Sequence, residues 1–315
     1  MTTLLSVVLV ALASFGLAAG TVLQHKRVNS VNSTRRTKSL TMKQLGTLLR
    51  DIRWVLGLVL IIASTSLHIL ALSFAPLSVV QPIGILAVPW SVLLAMKIYG
   101  HQPSTAVWIS VFTTIAGVVG FTLIAVRAPG SGTIELDAGL IGVVFAVGCG
   151  IAACVGTLSS VAGRASRSLM LAVSGAILFG LTSALMRTLF LLWQSDTTVF
   201  SASAFAIALG VLGTSVVGGW LVQQAHASGQ AEVVVGALTT IDPVVAVAYG
   251  LIALNEGAGI SSIGMLGLTS FGAIAALGVV GLSRYHPNAQ RPSSSLHRRL
   301  ASLPEKPAVV GQDRR

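Results

Sequence analysis

Apolar residues run along this chain in blocks of about twenty, separated by short polar breaks. A helix of that length covers about 30 Å, the thickness of a bilayer's hydrocarbon core. Nine spans are predicted: 3–23, 54–74, 78–96, 105–126, 138–158, 169–192, 199–222, 231–253 and 259–283. Nothing before Leu4 is charged and the first apolar run continues past Gly20, so it reads as a retained helix rather than a signal peptide. Two segments fall outside the pattern. The stretch from His25 to Arg53 is basic and rich in Ser, Thr and Asn; it reads as an irregular loop, with a short surface helix over Thr41 to Arg53. The tail, 286–315, carries four prolines among scattered arginines and reads as disordered and basic. The predicted domains are therefore a multi-pass membrane domain over 1–285 and this tail.

Composition agrees with the pattern. The chain is 54% hydrophobic and only 9% charged, where globular domains carry about a quarter charged residues. No sizeable soluble core is left over. Charge then orients the spans. With residues 24–53 inside, the odd-numbered connections and the tail hold eighteen of the twenty Lys and Arg residues, including Lys97, Arg164 and Arg167. Arg127 lies on the opposite side and Arg187 within a span. This positive-inside bias predicts the N-terminus out and the C-terminus in, in a cytoplasmic (inner) membrane. The pI of about 10.9 thus reports topology and contact with anionic membrane lipids, with no nucleic acid implied. Cys149 and Cys154, five apart on one apolar span, form neither a zinc spacing nor a disulfide framework.

Against this apolar background a few polar residues stand out. Asp242 lies midway along Ala231 to Leu254, followed at once by Pro243. A carboxylate at that depth costs about 2.5 to 3.5 kcal/mol on insertion scales. It is expected to bind a cation or a proton; the structural alternative is a carboxylate hydrogen-bonded to Thr239 or Thr240. His68 and Arg187 fall within about 4 to 8 Å of its depth, so all three are expected to line one cavity, with an Arg–Asp pair easing the burial of both charges. Snorkelling of Arg187 and a neutral core role for His68 are the alternatives. Gln81 and Gln223 add neutral hydrogen-bonding groups. Pro82 and Pro89, with Pro243, are expected to break helices and act as gates, or simply to kink them. Glu256 is expected at the outer mouth, attracting cations or merely solvated in a turn. Gly16-x-x-x-Gly20 favours close helix packing. No phosphate-cradling glycine loop, paired metal ligands or nucleophile with an adjacent base is present, so no enzyme, cofactor or metal site is assigned.

A weak internal echo also appears. A shift of 154 residues places Val79-Val80 on Val233-Val234 and Pro89 on Pro243, while Asp242 falls opposite Val88. The third span would run inward and the eighth outward, so the copies would be inverted, as in many transporters.

The hairpin carries a family resemblance. Trp54-Val55-Leu56-Gly57, followed by Ala71-Leu-Ser-Phe-Ala-Pro-Leu-Ser-Val-Val-Gln-Pro-Ile-Gly84, resembles the drug/metabolite transporter superfamily, nearest its NIPA-type branch. Lys26-Arg27, Ala128-Pro129 and the span count are similar, and Arg187 falls where that branch has a lysine. Gly100-His101-Gln102 departs from its acidic-basic pair. Asp242-Pro243 and Asn255-Glu256 are instead similar to steps in EamA-like exporters. The resemblance implies an all-α membrane protein of nine transmembrane helices in two inverted repeats, four plus five. It would be a secondary transporter that moves a small solute or cation by alternating access, without ATP hydrolysis. Magnesium and a proton-coupled metabolite are the candidate substrates, and the sequence leaves a homodimer open. The second expectation is a non-transporting membrane scaffold that docks partners through its basic tail.

Overall fold

The computed structural model describes residues 2–33, 50–99, 104–127, 136–195, 201–228, 231–257 and 259–285. Among these the chain is helical throughout, with no strands. The helices are α1 (Thr2–Ser33), α2 (Ile52–Phe74), α3 (Leu77–Gly84), α4 (Ala87–Tyr99), α5 (Thr105–Arg127), α6 (Ala138–Leu158), α7 (Arg164–Gln194), α8 (Ala202–Ser228), α9 (Ala231–Ala253) and α10 (Ser262–Tyr285). With α3 and α4 counted as one interrupted span, nine helical segments among the described residues are long and apolar enough to cross a membrane. The chain is a multi-pass membrane protein.

Local chemistry sets several of the ends. Asp51 caps α2 by accepting from the N–H groups of Arg53 and Trp54, and Asp137 caps α6 through Gly139 and Leu140. Three ends differ from expectation because polar sequence without Gly or Pro does not stop a helix already nucleated. α1 runs on to Ser33, so the first part of the basic segment is helical rather than irregular. α7 begins at Arg164, five residues early, and α8 continues to Ser228. The expected helix over Thr41 to Arg53 lies mostly outside the described residues, as do Gly100-His101-Gln102, Ala128-Pro129 and the tail.

The proline expectations need correction. The third span does break, but at Ile85 and Leu86, between the two prolines. There Ile85, Leu86 and Val88 donate to carbonyls three residues back, at 3.0 to 3.2 Å. Pro89 sits in the first turn of α4, where a helix has no use for the missing donor, and the Ile85 carbonyl it would have served accepts from Val88 instead. Pro243 breaks nothing: α9 is continuous through it.

Packing places α7 at the centre of the bundle. α7 lies along α8 and α9 and also touches α6 and α2; α1 lies along α2 and α4; α5 lies along α10. Two of these contacts are glycine crossings. A Cβ on Gly20 would stand 2.7 Å from the carbonyl oxygen of Gly57, and one on Gly57 2.9 Å from that of Gly20. Gly175 and Gly218 face each other in the same way, at 3.1 and 3.3 Å. In lipid, close backbone approach of this kind replaces the hydrophobic drive that water would supply. The outer faces stay apolar, with Val143, Val147 and Ile151 of α6 and Phe205, Leu212 and Val216 of α8 exposed. That surface suits lipid contact.

Candidate functional site

Two polar regions lie inside this apolar bundle. The first is a cavity of about 370 Å³ walled by α1, α2, the α3–α4 break, α7 and α9. Asp242, at the centre of α9 with eleven residues on either side, lines it together with His68, Gln81 and Pro243. Two close approaches shape the wall. A Cβ on Gly180 would meet the Asp242 carbonyl oxygen at 2.7 Å, so the missing side chain lets α9 lie against α7 at this turn. A Cβ on Gly84 would come within 3.3 Å of His68 Cε1, so Gly84 leaves room for the imidazole beside the break.

Two polar side-chain atoms of the cavity's lining residues lack protein partners. Asp242 Oδ1 and Gln81 Nε2 are buried with no hydrogen bond. The local alternative for Asp242 does not form: the Thr239 hydroxyl donates to the Val235 carbonyl at 2.8 Å, and Thr240 Oγ1 is itself unpaired. Pro243 also denies the Thr239 carbonyl its helical donor. Buried polar groups in native proteins are nearly always bonded, so two orphans among the residues of one cavity call for an explanation. Ser14, Ser64, Thr182 and Ser183 complete a hydroxyl-rich lining.

The second region is a clamp. Arg187 of α7 is 5% exposed and Glu256, in the turn between α9 and α10, is 8% exposed. Arg187 Nε donates to Glu256 Oε1 at 3.0 Å, and Arg187 Nη1 donates to the Leu72 carbonyl at 2.8 Å. Glu256 Oε2 accepts the Leu77 backbone N–H at 2.8 Å. The pair therefore satisfies the C-terminal end of α2 and the N-terminal end of α3 while tying both to α7 and the α9–α10 turn. Asn255, at φ 53°, folds that turn back so that the Glu256 N–H reaches the Gly250 carbonyl. Asparagine tolerates this left-handed backbone better than most residues. Burial pushes the Glu256 carboxyl above its ordinary range, and the Arg187 guanidinium and Leu77 N–H pull it back.

The sequence-predicted residues thus separate. Asp242, His68, Gln81 and Pro243 come together. Arg187 does not line the cavity: its partner is Glu256, not Asp242, and it does not snorkel. Glu256 is neither solvated nor at an open mouth. Gln223 is exposed on α8, because Leu221, Val222 and Ala225 take the inward face and a helix turns about 100° per residue. Pro82 and Pro89 are buried near the break without lining the cavity. The hydroxyl lining and the two glycines were not anticipated. Serine and threonine in apolar spans usually bond their own helix, as Ser64 does to the Leu60 carbonyl at 2.6 Å, so sequence alone does not single them out.

No family model, curated protein or solved structure matches this chain. Among the described residues no three His, Cys, Asp or Glu side chains cluster as metal ligands.

Proposed function

We propose that the protein is a secondary transporter of the drug/metabolite type in the cytoplasmic membrane, with its N-terminus outside. The Asp242 cavity is its substrate site. The observation that carries the reading is that Asp242 and Gln81, whose Oδ1 and Nε2 are buried without a partner, both line one cavity inside a membrane-spanning bundle. Intramembrane carboxylates that face cavities typically serve solute or ion pathways.

The packing supports an inverted repeat. Exchange of the first four spans with the sixth to ninth maps the α1–α2 contact onto α7–α8 and the α1–α4 contact onto α7–α9. The α5–α10 and α3–α9 contacts map onto themselves. Both the α1–α2 and the α7–α8 contacts are glycine crossings. α6 is the fifth helix of the first half and has no counterpart in the second. A site between such repeats near the membrane centre follows the alternating-access plan.

In this reading the clamp is a closed gate. Leu77 precedes Gln81 by four residues and Arg187 follows Ser183 by four, so the clamp lies about 6 Å from the cavity toward one end. One carboxylate, one imidazole and hydroxyls suit a proton, an ammonium-bearing solute, or a cation that keeps part of its water. Magnesium dehydrates reluctantly and fits only in that hydrated form.

Flux into proteoliposomes tests the proposal, with Mg2+, protons and a panel of small amines and amino acids as probes. Wild-type protein is expected to move at least one probe, Asp242→Asn to lower that flux at least tenfold, and deletion of residues 286–315 to leave it intact. Unchanged flux in both Asp242→Asn and Asp242→Ala overturns the site. Loss of function on tail deletion alone favours the scaffold.

A further inference from the structure

A second hollow, of about 700 Å³, opens on the lipid-facing side of the bundle between α6, α7 and α8. Its chemistry changes along its length. Phe145, Cys149, Leu178 and Gly210 line one end, and Thr157, Ser160, Arg167 and Gln224 line the other, with Trp220 beside them. The polar end coincides with the ends of three spans: the C-terminus of α6, the N-terminus of α7 and the last turn of α8. Arg167, in the first turn of α7, lies where basic residues meet the headgroups of a bilayer, and Trp220 lies about two turns in from the end of α8.

The length also fits one leaflet. Gly210 and Gln224 are fourteen residues apart on α8, about 21 Å along its axis. A leaflet with its headgroups is about 20 to 22 Å thick, half of a bilayer's 40 to 45 Å. The groove floor is open: a Cβ on Gly213 would meet nothing within 4 Å.

Arg167 puts positive charge at the polar end. Arg167 is exposed and makes no ion pair among the described residues. The N-cap of α7, Gly163, offers no side chain to the first N–H groups of the helix. That leaves a helix N-terminus, with its partial positive charge, beside an unpaired guanidinium and the Ser160 hydroxyl.

We infer that this groove is a binding site for one anionic phospholipid, its phosphate held by Arg167 and the α7 N-terminus and one acyl chain lying along Leu178 toward Phe145. A soluble ligand has no reason to match one leaflet in length, and a neutral lipid leaves the charge at the polar end unused. α6 is held to α7 within the span by a buried Ser174 hydroxyl bonded to the Ala152 carbonyl at 2.6 Å, so a lipid here also fills the open side of the α6–α7 contact.

Native mass spectrometry of the full-length protein in detergent tests this, with phosphatidylglycerol and phosphatidylcholine of matched chains as probes. Wild type is expected to retain one phosphatidylglycerol at least five times more readily than phosphatidylcholine. Arg167→Gln should reduce that preference below twofold, while Arg53→Gln, remote and exposed, should leave it unchanged. Gly213→Leu should displace both lipids with an unfolding midpoint close to wild type, since its side chain enters open space. Three results overturn the inference. They are a preference that survives Arg167→Gln, one that falls equally in Arg53→Gln, and a dimer mass that Gly213→Leu converts to monomer in place of bound lipid.

Discussion

Arg187–Glu256 and Asp242 are both charge buried in an apolar bundle, yet the protein treats them in opposite ways. Around Arg187 and Glu256, donors and acceptors are matched: guanidinium to carboxylate and to the Leu72 carbonyl, and carboxylate to the Leu77 N–H. Around Asp242 they are left open: its Oδ1 and Gln81 Nε2 are both buried and unbonded, and both residues line the cavity. A satisfied buried pair organises structure, whereas an unsatisfied group carries a cost until water, a proton or a ligand relieves it. The clamp is thus held by matched partners, and the cavity is the place proposed above for the substrate, although sequence pattern marks the same residue types in both.

The contrast can be broken most severely at the clamp. Arg187→Ala leaves Glu256 buried without its cation, and loss of one partner of such a pair costs about 3 to 5 kcal/mol. A large drop in the unfolding midpoint in detergent is the expected outcome; a change within error would mean the pair is dispensable. Replacement of both partners, as Arg187→Met with Glu256→Leu, should recover much of that loss, because no lone charge remains. If the double variant is as unstable as the single one, the carbonyl and N–H contacts to Leu72 and Leu77 matter more than the charge pair.

Asp242 should behave in the opposite sense. With no hydrogen bond to lose at Oδ1, Asp242→Asn is expected to leave stability unchanged or raise it by about 1 kcal/mol, while flux falls at least tenfold. Thermal unfolding beside transport separates the two effects. A strongly destabilised Asp242→Asn would make the carboxylate structural and erase the comparison. The smallest effect is expected at Gly84. An added methyl would press on His68 Cε1 from 3.3 Å, so Gly84→Ala should cost less than about 1 kcal/mol yet reduce flux severalfold by crowding the imidazole.

The residues of the proposed site were legible in sequence because membrane insertion makes polar residues conspicuous. Asp242, His68 and Gln81 interrupt long apolar runs at similar depth, and the structure gathers them around one cavity. The clamp was not legible. Arg187 and Glu256 are 69 residues apart, and Asn255-Glu256-Gly257 reads locally as a solvated turn; only the left-handed Asn255 and the packing of α3 turn the carboxylate inward. Depth alone favoured Asp242 as the partner of Arg187, since sequence reveals how far along a helix a residue lies but not which way it faces across a bundle. The same blindness put Gln223 in the site. Span lengths were well predicted where a cap or turn residue bounds the run, as Asp137 does before α6 and Asn255 after α9. They were short where helices continue into polar sequence, as in α1 and α8. The break in the third span was foreseen from its prolines, yet its position depends on which carbonyls find substitute donors.

As a transport site, the Asp242 cavity is water-accessible and closed on the clamp side. Side-specific cysteine labelling tests it without knowledge of the substrate. In a Cys149→Ala, Cys154→Ala background, Thr65→Cys places a thiol on the cavity wall, and a membrane-impermeant thiosulfonate is applied to either face of oriented vesicles. The account predicts modification from the face opposite the clamp at least ten times faster than from the clamp face, with Glu256→Gln narrowing that ratio. No modification from either face, or faster modification from the clamp face, would contradict it.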